Sequence, residues 1–236
     1  MSVVGRNLGV ISLGMSCQSA LQIRDNVDVL KRVCGDETLT ASGLPFDSIV
    51  CPPESAIKML RTDTYFPPSS DDVTLFRGAY WRDYNVYFRH EFTLRKKHVL
   101  EYLTGKVNRA RAHRELASKF AYMADKFRKL GRFERLVFVM SNTQNDLFEY
   151  KDELGMDYVV AMDAVERLCD ACDDYFGRAC EYIFVTYEDR VTGTAEREGL
   201  KVFKVAPDET PWQGDWDQWK RIFENYFNAT ELVGAK

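Results

Sequence analysis

Cys17 stands at the junction between a predicted strand and a predicted helix. An apolar run ends at Gly14, a helical pattern follows, and Ser16 is the expected N-cap between them. Unpaired amides and the dipole at a helix start favour an anion, so a thiol in the first turn ionises more readily than a free thiol. The same amides can instead hold a phosphate. The junction therefore predicts either a thiolate nucleophile or an anion-binding turn.

Three further side chains can act as a general base. Asp47 follows a Pro-Phe turn, and His90 and Glu91 follow an aromatic-rich segment. A sugar hydroxyl that attacks a donor needs one positioned proton acceptor, and each of these three residue types can serve. Asp47 has a purely structural alternative, because an aspartate in a turn often caps a backbone amide.

Short, continuously apolar runs that alternate with helical segments are typical of parallel strands buried on both faces. Helical patterns are predicted over 144–154 and 163–176, and a last helix over 215–227. We predict a single α/β domain over residues 1–236, with a largely parallel, Rossmann-like, doubly wound sheet. The stretch 73–95 is rich in aromatic residues and is predicted as an insertion or subdomain. The apolar runs lie at 8–13, 136–140, 158–162, 182–186 and 202–205.

Polar residues follow the predicted strands, where parallel α/β sheets bind ligands. Helix N-termini at this edge can hold a nucleotide diphosphate without a metal. Asp163 and Asn142 also suit a structural role, as caps of the helices that follow them. The predicted contacts to a nucleotide-sugar are Gly14, Met15, Ser16, Gln18, Ser141, Asn142, Thr143, Asp163 and Glu188.

The composition is that of an ordinary globular protein, with 45% hydrophobic and 29% charged residues. A net charge of −4 provides no global basic field, so we expect no nucleic-acid partner. Basic residues are concentrated between Arg89 and Arg135. This stretch predicts a solvated helix surface or, alternatively, a patch that faces an anionic ligand. His98 and His113 lie in it and are expected at the surface.

Six cysteines in a chain of 236 residues without a signal peptide favour free thiols and a cytoplasmic location. Cys169 and Cys172 have the spacing of half a zinc site, but no second pair or nearby histidine completes it. We therefore expect no required metal or cofactor. No apolar run reaches the ~18 residues that a membrane span needs. The sequence leaves the oligomeric state open.

Three segments together resemble a bacterial and viral family of unknown function, for which a papain-like cysteine peptidase activity has been proposed. The match covers about the first 95 residues, and Ser48 and Glu91 depart from the Trp and Asp of the family pattern. Members of this family tend to accompany polysaccharide-building enzymes, so the resemblance also implies sugar transfer. The matching segments are Ile11-Ser12-Leu13-Gly14 with Cys17, Leu44-Pro45-Phe46-Asp47, and His90-Glu91-Phe92.

A cysteine peptidase is the first function that these residues allow. It would use Cys17 as nucleophile, His90 as base and Asn142 to orient the histidine. The strand that leads directly into Cys17 and the later strand–helix alternation do not suit a papain-like fold.

A metal-independent glycosyltransferase is the function that we favour. It would bind a nucleotide-sugar donor at the strand ends and a glycan acceptor nearby, with Asp47 or His90 as general base. A non-catalytic module that binds glycans or a partner is the third alternative. Aromatic rings that can face a sugar, or pack in the core, are Trp81, Tyr84, Trp212 and Trp216.

Overall fold

The architecture comes from a computed structural model, which describes residues 7–35, 43–75, 79–88, 109–146, 158–210 and 212–234. The strands are β1 (Leu8–Ser12), β2 (Val73–Leu75), β3 (Ala79–Trp81), β4 (Val86–Phe88), β5 (Arg135–Ser141), β6 (Val160–Ala161), β7 (Glu181–Thr186), β8 (Val191–Thr192) and β9 (Leu200–Lys204). The helices are α1 (Gln18–Asp25), α2 (Val27–Cys34), α3 (Pro53–Thr62), α4 (Arg109–Arg128), α5 (Met162–Phe176) and α6 (Trp216–Gly234).

The central sheet holds four parallel strands in the order β1-β5-β7-β9. Val10 lies opposite Val137, and Val139 lies opposite Ile183. Apart from the first residue of each, β5 and β7 are buried along their whole length, because helices cover both faces of the sheet. The structure confirms the predicted α/β fold with a parallel, Rossmann-like sheet.

Successive residues of each strand pack into two different cores. Val10 and Val137 join a core that they share with α1, α2 and α6. Ile11 and Phe138 point the other way, into the core that contains α3, α4 and α5. This period of two lets helices pack on both faces of the sheet. The strands are added in one direction, since their order across the sheet is their order along the chain.

A small antiparallel sheet lies within the predicted aromatic-rich insertion. β2, β3 and β4 form a meander in which Trp81 pairs with Val86. Two backbone hydrogen bonds between Val50 and Tyr87, 2.8 and 2.9 Å long, attach β4 to the segment before α3. Residues 76–78 and 89–95 of this stretch lie outside the described residues.

One predicted sheet strand is wrong. The run 158–162 contributes only β6, which pairs with β8 outside the central sheet. Met162 already begins α5, so the apolar run is divided between a short strand and a helix start. The fourth strand of the sheet is β9, which overlaps the predicted run 202–205. None of the helices that the structure describes is both long enough and apolar enough to cross a membrane.

Candidate functional site

The turn between β1 and α1 is built from two consecutive left-handed residues. Gly14 has φ +64° and Met15 has φ +66°, which costs a non-glycine residue about 1–2 kcal/mol. Within the turn, Ser16 N donates a hydrogen bond to Gly14 O at 2.9 Å. Cys51 N donates to Met15 O at 3.4 Å and so connects the turn to the segment before α3. Ser16 Oγ donates to Ser141 O at 3.2 Å and joins the turn to the end of β5.

Cys17 is the N-cap residue of α1, one position later than the predicted cap at Ser16. Its carbonyl accepts the first helical hydrogen bond, from Leu21 N at 3.1 Å. Its side chain does not cap the helix and instead donates from Sγ to Gln144 Oε1 at 3.6 Å. The thiol therefore faces the loop that follows β5.

A buried polar network occupies the carboxyl ends of β1 and β5. Gln18 Oε1 accepts hydrogen bonds from Ser141 Oγ at 2.8 Å and Thr143 Oγ1 at 2.5 Å, and its Nε2 donates to Trp212 O at 3.1 Å. All three polar side chains are buried. The structure thus brings together the predicted anion-binding residues of both strand ends, but these hydrogen bonds link them to one another.

The loop after β9 packs over α1, on the helix face that carries Gln18. Gln22 Nε2 donates to Gln213 O at 2.6 Å, and Asn26 Nδ2 donates to Gln22 Oε1 at 3.0 Å. Gly214 has φ +78°, and a Cβ there would lie 2.9 Å from Gln18 Nε2. Only glycine lets the loop approach this closely. The polar side chains at positions 18, 22 and 26, four residues apart on a buried helix face, are the signal from which this contact could have been predicted.

Arg190, in the loop after β7, holds the loop after β5 through hydrogen bonds. Its guanidinium donates to Asn142 O at 2.8 Å, to Gln144 O at 3.3 Å and to Asn145 Oδ1 at 2.9 Å. The side chain is buried above the ring of Tyr187, and burial lowers the pKa of Arg190. Nothing local in the sequence indicates that this arginine is buried and joins the loops after β5 and β7.

Asn142 is part of this tie. Its Nδ2 donates to Tyr158 O at 2.8 Å and to Arg190 O at 2.9 Å. These bonds connect the loops after β5 and β7 to the start of β6. The described contacts therefore give Asn142 a role in holding backbone, and its predicted role of orienting His90 stays a prediction.

A cavity of about 350 Å³ lies beside α1 and brings Cys17 and Asp47 together. Ser12, at the end of β1, lies at its wall, and its hydroxyl is buried without a hydrogen-bond partner among the described residues. Cys17 and Asp47 come from separate sequence motifs, so their shared cavity is a product of the fold. The lining residues are Ser12, Cys17, Ala20, Leu21, Ile23, Arg24, Gly43, Leu44, Asp47 and Trp212.

Asp47 lies in the 3-10 turn Pro45–Ser48. Its Oδ2 accepts a hydrogen bond from Leu44 N at 3.0 Å, so it does cap the turn. Burial raises the pKa of Asp47, while the amides of Leu44 and Gly43 and the charge of Lys126 oppose the rise. The Lys126 ammonium lies close by, 3.2 Å from where a Cβ on Gly43 would be. A partly buried carboxylate with a raised pKa is a stronger proton acceptor than an exposed one.

No protein-family model, curated protein or solved structure matches this chain. The resemblance carried by the segments around Cys17, Asp47 and His90 therefore stays a prediction. His90 and Glu91 lie outside the described residues, as does His98.

Asp163 and Glu188 lie away from the Cys17 cavity. Asp163 is exposed on the second residue of α5 and pairs with Arg167 at 2.5 Å. The N-cap of that helix is Ala161, so the predicted cap at Asp163 is wrong, because the helix begins at Met162, two residues before the start that this cap requires. Glu188 is exposed and pairs with Lys204 at 2.7 Å.

His113 is buried, which corrects the predicted surface position. Its Nε2 lies 2.9 Å from Pro67 O, and its ring lies 5.2 Å from the ring of Phe66. The residue falls on the apolar face of α4, where Phe120 and Phe127 also enter the core. The His113 ring is therefore packed beside the small sheet, with its Nε2 next to a backbone carbonyl.

The predicted sugar-facing aromatic residues divide into two groups. Trp81 is buried and stacks on Tyr84 at 3.8 Å, and Lys58 Nζ lies 4.1 Å from the Tyr84 ring centre. Trp81 therefore packs within the protein, whereas Tyr84 is half-buried and lines a separate cavity. Trp212 lines the Cys17 cavity, and Trp216 is exposed.

The described residues contain no group of three or more His, Cys, Asp or Glu side chains that could hold a metal ion. Cys169 and Cys172 are buried on α5 and pack in the larger core. Burial raises the pKa of both thiols. Their spacing therefore reflects the apolar face of a helix.

Proposed function

We propose that this chain transfers a sugar from a nucleotide-sugar donor to a glycan acceptor, with Asp47 as the general base. The observation that carries the proposal is the Asp47 carboxyl group, which lies at the wall of a cavity and has its pKa raised by burial. A general base works best when its pKa lies near the working pH, so this shift favours proton abstraction at Asp47.

The size of the cavity supports an acceptor site. A volume of about 350 Å³ lies at the lower end of the range for small-molecule sites, about 300–1,000 Å³. Such a space suits one sugar unit better than a whole nucleotide-sugar. Trp212 provides an apolar wall, and Arg24 places a cation at the rim where the donor diphosphate would approach.

The proposed step is a displacement at the anomeric carbon. The acceptor hydroxyl oxygen forms the new bond to that carbon as Asp47 takes its proton. The bond from the anomeric carbon to the donor phosphate breaks, and the nucleoside diphosphate leaves with the electron pair. Asp47 returns its proton to water after the product departs.

A matched pair of variants tests the role of Asp47. Asp72 caps another 3-10 turn in the same way, since its Oδ2 accepts from Ser69 N at 3.0 Å, but it is not in the cavity. Release of nucleoside diphosphate is measured with a panel of nucleotide-sugars and glycans. Asp47→Asn should lower the rate by about 10²-fold or more, whereas Asp72→Asn should not. Equal rates for the two variants would contradict the proposal.

Donor binding can be measured separately from turnover. A ligand that binds only the folded protein raises the melting temperature with its concentration. We expect at least one nucleoside diphosphate to raise the Tm of wild type and Asp47→Asn alike. The absence of a shift with every nucleoside diphosphate, at concentrations up to the millimolar range, would count against glycosyl transfer.

Thiol-dependent hydrolysis is a second candidate, because Cys17 lines the same cavity. In this alternative Cys17 Sγ attacks an acyl carbon, and Cys17→Ala removes all turnover. In the favoured reaction the sulfur takes no part, so Cys17→Ala keeps most of the activity. Comparing Cys17→Ala with Asp47→Asn therefore separates the two candidates.

A further inference from the structure

Trp216, the first residue of α6, has an exposed indole ring. It is 44% exposed, whereas Trp81 and Trp219 are buried. Large apolar side chains are usually withdrawn from water, and in the described part of the chain the exposed ones are Tyr122, Val159 and Trp216. The ring of Trp216 is thus a small apolar surface that the fold leaves open.

The orientation of this ring is fixed. Trp216 Nε1 donates a hydrogen bond to Asp25 O, 3.3 Å away at the end of α1. Lys220 Nζ lies 5.4 Å from the ring centre, one helical turn further along α6. A ring that is already held in place loses little conformational entropy when a ligand stacks on it.

The ring is connected to the cavity lining through the end of α1 and through the loop before α6. Arg24 precedes Asp25 in α1 and lines the cavity that contains Cys17 and Asp47. Trp212, four residues before Trp216, lines the same cavity. The backbone carbonyl that accepts from the Trp216 ring therefore belongs to the residue next to a lining residue of the cavity.

We infer that Trp216 is a stacking platform for a second sugar of the acceptor, so that the acceptor is an oligosaccharide. This inference rests on the proposed function and names the class of acceptor for the same site. The C–H face of a sugar packs on an aromatic ring, while its hydroxyls stay in water or reach charged neighbours. Here the charged residues beside the ring are Lys220, which lies over it, and Asp217, which follows it in the sequence.

A carbohydrate fits this surface better than a protein partner. Stable protein interfaces bury about 800 Å² on each partner around an apolar centre. Trp216 instead stands among charged side chains, with Asp217 beside it in the sequence and Lys220 over its ring. A single fixed ring with a polar surround is suited to one stacked sugar.

The test measures glycan binding, which needs no turnover. Labelled protein is applied to an array of immobilised mono- and oligosaccharides, and the affinity for each bound glycan is measured. Trp216→Ala should weaken oligosaccharide binding about tenfold and leave monosaccharide binding unchanged, whereas Trp216→Phe should keep most of the affinity. Tyr122→Ala, which removes a ring that is 65% exposed on α4, is the matched control and should bind as wild type does.

The outcomes separate this inference from the proposed function. Oligosaccharide binding that depends on Trp216, without sugar transfer from any donor, would keep the platform and overturn the transferase. Transfer that depends on Asp47, with the same oligosaccharide affinity in Trp216→Ala and wild type, would overturn the platform alone. Wild-type protein that binds no glycan would also overturn the platform. Circular dichroism of each variant checks that α6 is intact.

Discussion

The Cys17 thiol donates its hydrogen bond to Gln144 Oε1 at 3.6 Å. The amide is oriented from its other end, because Gln144 Nε2 donates to Asp146 Oδ1 at 2.8 Å. The amide oxygen therefore faces the sulfur, and this bond requires the proton to be on the sulfur. The arrangement is that of a packed thiol that helps to position the loop after β5.

Replacing Cys17 should affect stability more than sugar transfer. Cys17→Ala leaves Gln144 Oε1 without this donor, which should lower the free energy of unfolding by about 1–2 kcal/mol. Cys17→Ser supplies a donor again and should recover part of the loss. Urea unfolding and nucleoside diphosphate release provide the two measurements. If both variants fold but neither shows any turnover, the sulfur takes part in the chemistry.

We expect the free energy of unfolding to depend on pH through the titration of Asp47. Burial raises its folded pKa above the ordinary value of 3.8, so the folded state holds this proton more tightly than the unfolded state. Its contribution to stability is fully present below pH 3.8 and is lost as the pH rises through the folded pKa. Wild type should therefore lose stability relative to Asp47→Asn over that window in urea unfolding. A difference that does not change with pH would contradict the raised pKa.

The same shift sets the acid limit of activity. If Asp47 is the general base, the rate falls when the carboxylate is protonated, so the acid limb of the pH–rate profile should lie above pH 3.8. Asp72→Asn should leave this limb in place. A limb that stays in place in the residual activity of Asp47→Asn would assign it to another group.

Gly14 and Gly35 allow two costs of an added Cβ to be measured separately, the crowding in the turn before α1 and the left-handed backbone conformation. Gly14 and Gly35 have nearly equal φ values of +64° and +62°, but a Cβ on Gly14 would lie 3.3 Å from Cys51 Sγ, whereas one on Gly35 would have no neighbour within 4 Å. Gly35→Ala should cost about 1 kcal/mol for the left-handed conformation alone. Gly14→Ala should cost about 1–3 kcal/mol more, because the core around it is already full. Equal losses in urea unfolding would show that the turn can expand.

The buried network around Gln18 should be among the most sensitive parts of the fold. Gln18→Ala removes the acceptor of Ser141 and Thr143 and the donor to Trp212 O. Leaving several buried polar groups unpaired should cost about 2–4 kcal/mol in the free energy of unfolding. Gln213→Ala, at an exposed side chain in the loop that covers the network, should change it by less than about 0.5 kcal/mol. Similar values for the two variants would contradict this account of the network.

Thiol reactivity should follow burial. Burial raises the pKa of Cys51 to about 12 and that of Cys180 to about 11, so few of these thiols are ionised near neutral pH. Cys34 is partly exposed at the end of α2. Ellman's reagent should therefore modify Cys34 much faster than Cys51 or Cys180 in the native protein, and peptide mass spectrometry identifies the site. Rapid labelling of Cys51 would mean that the packing around Gly14 opens readily.

The sheet could be predicted from local sequence because its strands are marked by their own residues. The apolar runs of β5 and β7 are buried on both faces, as such runs are in parallel sheets. The run 158–162 misled the prediction, since a short apolar run has no period that distinguishes a strand from a helix start. Val159 in that run is exposed, and Met162 is already helical.

The site could be predicted only in part. Cys17 and Asp47 were identified from their motifs, and the fold places both in one cavity. The roles of Gln144 and Arg190 depend on partners far along the chain, since Arg190 donates to the carbonyl of Gln144, a residue 46 positions away. A polar side chain in a loop predicts a solvent position by itself, and only the folded arrangement shows that it is buried.

The order of the strands has a consequence for how the chain is made. Each strand of β1-β5-β7-β9 pairs with the one synthesised before it, so the sheet can grow as the chain leaves the ribosome. The contacts of α1 form late, because the side-chain amides of Gln18 and Gln22 donate to the backbone carbonyls of Trp212 and Gln213. A nascent chain therefore carries the strands of the sheet before Trp212 and Gln213 complete the contacts around Gln18 and Gln22.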